Sequence, residues 1–209
     1  MRKTERTVYH RRWVLPATPW PKRVLALVVF TLVLAVAGAV GAEDVAVPLG
    51  LQAELVAKVA TYDKNFPARA GERAQVLLLV KSGNADSSRA AAHLQSALGG
   101  LSHVGGLPHD EHVVTYGGAT WLTALVKSRR AAIVYVTPGF SEDIGDILAA
   151  LDGLDVLSVA AVADYVPRGI VLGFDLVSAK PKLLCHLTQA KKQNVAFKSD
   201  VLKMMRVYE

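Results

Sequence analysis

Residues 74–80 read Ala-Gln-Val-Leu-Leu-Leu-Val, with a single polar side chain in seven positions. A strand with one wet face alternates polar and apolar residues, so an unbroken apolar run of this length predicts a strand covered on both faces. Upstream, Leu51, Leu55, Val59, Tyr62 and Phe66 recur at spacings of 4, 4, 3 and 4. That is the core stripe of an amphipathic helix, which Pro67 is expected to end. Downstream, Asp86-Ser87-Ser88 offers N-cap oxygens to a helix running to about Leu98. A loop with two Gly-Gly pairs and a proline then leads to a strand at His112–Tyr116. A helix at about Thr120–Ser128, a strand at Ala131–Val136, a helix at Ser141–Leu151 and a strand at Val156–Val162 complete the pattern. Strand and helix alternating at this spacing predict a single α/β domain with a mainly parallel sheet flanked by helices.

The last part of the chain changes period. Gly169–Val177 and Lys182–Leu187 read as two strands joined by Ser178-Ala179-Lys180-Pro181, a C-terminal β-hairpin. Pairing Val177 with Lys182 puts Leu172, Phe174, Leu176, Leu183, Cys185 and Leu187 on one apolar face, with Asp175, Lys182 and His186 on the other. Cys185 is the only cysteine, so no intrachain disulfide can form, and its place on the apolar face predicts an inert buried thiol. Phe197, Val201, Met205 and Tyr208 recur on one side of an expected terminal helix.

Charge divides the chain into two parts. The formal net charge of +6 lies entirely in residues 1–42, which hold seven basic residues and one acid; residues 43–209 carry 17 of each sign. A neutral body lacks the electrostatic footprint that nucleic acid binding needs. Val24–Ala42 is uncharged, follows Lys22-Arg23 and ends in small residues, with Val40 and Ala42 suited to the −3 and −1 positions of a signal peptide. Residues 1–42 are therefore expected to be a signal peptide, with Glu43 at the mature N-terminus and residues 43–209 exported to the periplasm. An uncleaved inner-membrane anchor is the alternative, since 19 apolar residues are about enough to cross a bilayer.

No motif of a standard catalytic or nucleotide site occurs: there is no G-x-S-x-G elbow, Walker A loop, H-E-x-x-H or C-x-x-C. His109-Asp110-Glu111-His112, with His103, is the densest set of metal-ligand types, but alternation along an extended segment points its neighbours apart. Backbone N–H groups near Ser87 and Ser141, after parallel strands, are candidate anion donors. Asp175 can pair with Lys182 or His186 across the hairpin. Asp164-Tyr165-Val166-Pro167-Arg168-Gly169 reads either as a generic turn or as a contact loop carrying an aromatic and an arginine.

Leu51-Gln52-Ala53-Glu54-Leu55, Tyr62-Asp63-Lys64-Asn65-Phe66 and the strand that follows resemble the opening of the YfiR-like periplasmic proteins. Gly173-Phe174-Asp175, Leu187-Thr188-Gln189-Ala190-Lys191-Lys192-Gln193-Asn194-Val195 and the segment from Phe197 to Val207 resemble that family's closing strand, Ala-rich turn and final helix. The resemblance implies a protein without catalytic activity or cofactor that binds the periplasmic part of an inner-membrane signalling protein. In the best-known members that target is a diguanylate cyclase of cyclic di-GMP signalling, released when an outer-membrane lipoprotein captures the repressor; a sensor kinase is the other target considered, and a homodimer stays open. Members with paired cysteines form disulfides, which the lone Cys185 cannot. Tyr165, Arg168 and Phe140 are the expected partner-binding anchors, because aromatic and arginine side chains contribute most to protein interfaces. Two other readings compete: a small-molecule binding protein resembling a single lobe of a transporter receptor, and an exported enzyme with a nonstandard site.

Overall fold

The computed structural model describes residues 43–209, so the expected signal peptide and its alternative as an anchor lie outside the described residues. Seven strands form one sheet: β1 (Ala74–Val80), β2 (His109–Thr115), β3 (Ala131–Val136), β4 (Leu157–Ala160), β5 (Leu172–Val177), β6 (Lys180–His186) and β7 (Arg206–Tyr208). Their order is β2-β1-β3-β4-β5-β6-β7, and every neighbouring pair is parallel except β5 and β6. The helices are α1 (Leu49–Val59), α2 (Phe66–Ala70), α3 (Ala85–Gly99), α4 (Ala119–Arg129), α5 (Ile144–Leu151), α6 (Leu187–Lys192) and α7 (Ser199–Leu202).

The apolar run of β1 explains the layering. Successive side chains of a strand point to opposite faces, so Val76 and Leu78 join a core with Val56 of α1 and Leu94 and Leu98 of α3. Leu77 and Leu79 join a second core with Leu122 and Val126 of α4 and Ile144, Ile147 and Leu151 of α5. All four β1 side chains are buried, and each contributes about 1.5–3 kcal/mol by leaving water. One strand thus ties two helical layers together. Among the described residues no helix is long and apolar enough to cross a membrane.

Several boundaries differ from those expected: α5 begins at Ile144 rather than Ser141 and β5 at Leu172 rather than Gly169, and four further differences have a visible cause. The first helix does not run through to Pro67: α1 ends at Val59, Ala60–Tyr62 form a 3₁₀ turn, and α2 starts at Phe66 with Pro67 in its first turn. Proline is tolerated there because the first N–H groups of a helix have no intrahelical partner. The cap of α3 is Asn84, whose side chain accepts from the Ser87 amide at 2.9 Å, rather than the Asp86-Ser87-Ser88 group. β2 begins at His109, three residues early, because all seven residues of β1 find ladder partners from His109 to Thr115. The expected terminal helix is one turn, α7, and the chain closes instead as β7, which pairs Val207 with Cys185 and Tyr208 with His186.

The hairpin has the predicted faces but another register. Its turn is only Ser178-Ala179, both at positive φ, and Val177 pairs with Lys180. Two positive-φ residues form the tight turn whose twist matches the strands. The register moves by two residues, which preserves facing, so Leu172, Phe174, Leu183 and Cys185 still share a side. Asp175 stands directly opposite Lys182 but forms its ion pair with Arg206 of β7 at 3.6 Å. Cys185 is buried, and burial pushes its thiol up to about 12. A thiol reagent at pH 8 is therefore expected to label native protein at least tenfold more slowly than urea-unfolded protein. Equal rates would show that the β5–β6 core opens freely.

Candidate functional site at the carboxyl edge of the sheet

In the order β2-β1-β3, the chain leaves β1 toward one edge and returns past it to β3. The crossover helices α3 and α4 consequently lie on opposite faces, and a crevice opens at the carboxyl ends of β1 and β3, the usual ligand position in open α/β sheets. In this protein its own side chains fill that position. The Ser87 hydroxyl accepts from the Lys81 amide at 2.8 Å and lies 2.6 Å from the Thr137 hydroxyl, which donates to the Leu79 carbonyl at 2.6 Å. Lys81 reaches across to an ion pair with Asp143 and lies over the Phe140 ring. Tyr116 meets Phe140 edge to face at 5.5 Å. Its hydroxyl has no hydrogen-bond partner, and burial followed by the charges of Asp146 and Asp143 raises its pKa.

Beside this cluster the turn after β3 binds a carboxylate from the N-terminal segment. The Gly139 amide donates to Glu43 Oε2 at 2.7 Å and the Ser141 amide donates to Oε1 at 3.2 Å. The Tyr165 hydroxyl also donates to Oε2, while it accepts from the Phe140 amide at 2.9 Å. Burial alone would raise the Glu43 carboxyl; hydrogen bonds from the Ser141 and Tyr165 side chains and from the two amides outweigh it and hold the carboxyl below its ordinary value. Burial, then the Glu43 partner, drives the Tyr165 hydroxyl far upward, so it stays a donor.

The expected anchors separate. Tyr165 and Phe140 are each 0% exposed, because both join the second core, where the Tyr165 hydroxyl meets the Phe140 amide and Tyr116 and Lys81 cover the Phe140 ring. Their rings are core, not surface. Arg168 is exposed and donates to the Ser141 carbonyl. Of the expected anion donors, Ser141 holds Glu43, whereas the Ser87 amide is satisfied by Asn84. His109 Nδ1 and Glu111 Oε1 lie 2.5 Å apart without the alignment of a hydrogen bond, and His112 turns the other way to Gln75 at 2.8 Å. Among the described residues no three His, Cys, Asp or Glu side chains are placed to hold a metal ion.

Sequence reasoning missed the polar groups that lock the N-terminal helices onto the domain. Gln52 of α1 donates to the Val47 and Ala161 carbonyls at 2.8 and 3.1 Å and accepts from the buried Tyr135 hydroxyl at 2.5 Å. Asp63 accepts from Arg69 at 2.7 Å and from the Ala196 amide at 2.9 Å, and Asn65 donates to Asn194 O at 2.8 Å. A 530 Å³ cleft lies on the outer side of α1, bordered by Glu54, Lys58, Thr61, Tyr62 and His103. Tyr62 is 38% exposed on its rim, with the Lys198 ammonium over its ring.

A model of the YfiR/HmsC-like proteins matches residues 50–206, nearly all of the described domain. The chain belongs to the YfiR/HmsC-like family. The matched span takes in the Gln52 and Asp63 locks, the carboxyl-edge crevice and the terminal hairpin, while Glu43 lies outside it. No curated protein matches the chain. Two solved structures share the fold. One is a conserved domain protein from Vibrio cholerae O1 biovar El Tor, at 12% identity and a TM-score of 0.54, covering 78% of this chain and 60% of that one. The other is an ABC domain from Streptococcus pneumonia in complex with L-Trp, at 10% identity and a TM-score of 0.54, covering 78% and 62%. This chain therefore spans about three fifths of the length of each.

Proposed function

We propose that this protein is an exported, non-enzymatic regulator that binds the periplasmic part of an inner-membrane signalling protein, a diguanylate cyclase of cyclic di-GMP signalling or a sensor kinase. Membership of the YfiR/HmsC-like family over residues 50–206 carries this reading. The geometry supports a surface role, since the Lys81–Asp143 ion pair and the Ser87 and Thr137 hydroxyls already fill the crevice between β1 and β3 where a small substrate would sit. An outer-membrane lipoprotein is the second partner in this reading, and self-association into a homodimer is compatible with it.

With Tyr165 and Phe140 buried, the contact surface is better sought where an aromatic is exposed. Tyr62 beside the 530 Å³ cleft meets that requirement, and Arg168 remains the exposed member of the original trio. The test is capture of the purified periplasmic region of a membrane cyclase or kinase, chosen from the neighbouring genes where they encode one. Tyr62→Ala is expected to weaken capture about tenfold, equivalent to about 1.4 kcal/mol, with the melting temperature within about 2 °C of the parent. Arg168→Ala tests the other face in the same assay. Normal capture by both variants would remove these surfaces from the reading. A specific metabolite raising the melting temperature, with no protein captured, would favour the small-molecule alternative, for which the cleft volume is the supporting observation.

A further inference from the structure

We propose that the turn from Thr137 to Ser141, together with the Tyr165 hydroxyl, is a carboxylate-binding site that Glu43 fills as a tethered ligand and that a small monocarboxylate can take over. The donors have supports besides Glu43. Tyr165 is buried to 0% exposure, and its hydroxyl is oriented by the Phe140 amide at 2.9 Å, while the Phe140 ring is itself core. Gly139 has φ +98°, and a Cβ there would stand 2.5 Å from Asn84 Nδ2, so the backbone approaches the α3 cap as only glycine can. Two amides and a hydroxyl thus converge on one carboxylate from a rigid frame, the arrangement that gives charge-assisted hydrogen bonds most of their strength.

The occupant, by contrast, comes from about a hundred residues away in sequence, on a segment that precedes the first helix. A tethered group of this kind competes at an effective concentration of about millimolar, so a free ligand gains access at similar concentrations or when the segment is withdrawn. The adjoining cavity of 190 Å³ sets the ligand class. Val162, Ala163 and Ala46 offer apolar wall to a short chain, whereas Asp44, Asp164 and Asp175 also line it and no lysine or arginine does. Arg206 partly offsets Asp175 from 3.6 Å. A second negative charge on the ligand would meet the remaining acids, which selects one carboxylate with a short neutral tail. This inference goes beyond the regulator reading and stands or falls without any partner protein.

The test is thermal unfolding of the full mature domain at pH 7 in sodium acetate, against equal concentrations of sodium chloride. Glu43→Ala is expected to gain roughly 2–4 °C from acetate over chloride, with saturation, and less from succinate. The parent should gain clearly less, because acetate must first displace Glu43, and Glu43→Ala with Tyr165→Phe should lose the response. No acetate effect on Glu43→Ala, or an equal effect on the double variant, would overturn the proposal. Should Glu43→Ala not fold, Glu43→Gln carries the test, with the Gly139 and Ser141 amide resonances expected to shift on acetate addition; unchanged resonances would likewise overturn it.

Discussion

Arg69→Ala is expected to lower stability by about 3–5 kcal/mol, read as a shift in the urea midpoint and a fall in melting temperature on the order of 10 °C. The guanidinium donates to Asp63 at 2.7 Å, to Asp155 at 2.7 Å and to the Asn194 carbonyl at 2.9 Å. The Arg69 and Asp63 side chains are 2% and 0% exposed. Removing the arginine leaves the Asp63 carboxylate buried with only the amides of Asn65 and Ala196. An ion without its partner costs far more there than the pair itself contributes. Asp155 is 47% exposed, so Asp155→Asn should cost no more than about 1 kcal/mol. Replacing Asp63 and Arg69 together with leucines should recover part of the loss, since no buried charge is then left unpaired. An Arg69→Ala variant within about 1 kcal/mol of the parent would show that water reaches Asp63.

Gly105→Ala is expected to cost roughly 2–5 kcal/mol from two separable causes. The residue has φ +63°, a region a side chain adopts only with strain, and a Cβ would stand 2.1 Å from Phe66 Cε1. Phe66 is fully buried and cannot swing away cheaply. Neighbouring Gly106 separates the causes: φ is +83°, but nothing lies within 4 Å of its Cβ position, so Gly106→Ala carries only the backbone strain. Chemical denaturation of both variants should therefore show Gly105→Ala the worse by the overlap with Phe66. Adding Phe66→Leu to Gly105→Ala should reduce that difference. Equal losses for the two glycine variants would place the Phe66 ring elsewhere. Since this loop borders the α1 cleft, the pair of variants also reports on the rigidity of the proposed contact surface.

Both predictions depend on residues whose importance the local pattern hides. Phe66 was legible as the end of an apolar stripe, and Tyr62 to Phe66 as a point of resemblance to the family. Neither reading says that Asp63 is buried, because that follows from its distance to Arg69 and to the Ala196 amide. The anchors illustrate the same difficulty in reverse. Tyr165 and Phe140 are large aromatics flanked by turn residues, which from sequence fits an exposed contact loop. Burial is settled by what packs on them, and here that is the second core, with Tyr116 and Lys81 on the Phe140 ring and the Tyr165 hydroxyl against the Phe140 amide.

Periodicity and composition by themselves determined the central alternation of strands and helices, the α/β class, the parallel core strands and the facing of Cys185. These depend on short-range rules: the residue step of a strand or helix decides which side chains share a face, and a register error of two leaves facing unchanged. Tertiary structure decided the hairpin register, the replacement of the terminal helix by β7, the buried Asp63–Arg69 pair and the capture of Glu43 by the turn after β3. Each depends on groups far apart in sequence: the free edge of β6 offers Tyr208 and Val207 a ladder that a helix of that length could not match, and Glu43 meets its donors only once the sheet has brought β3 and Tyr165 together. A single side chain carries no local mark of such a meeting, so Glu43 is an unremarkable acid in the sequence and a bound carboxylate in the fold.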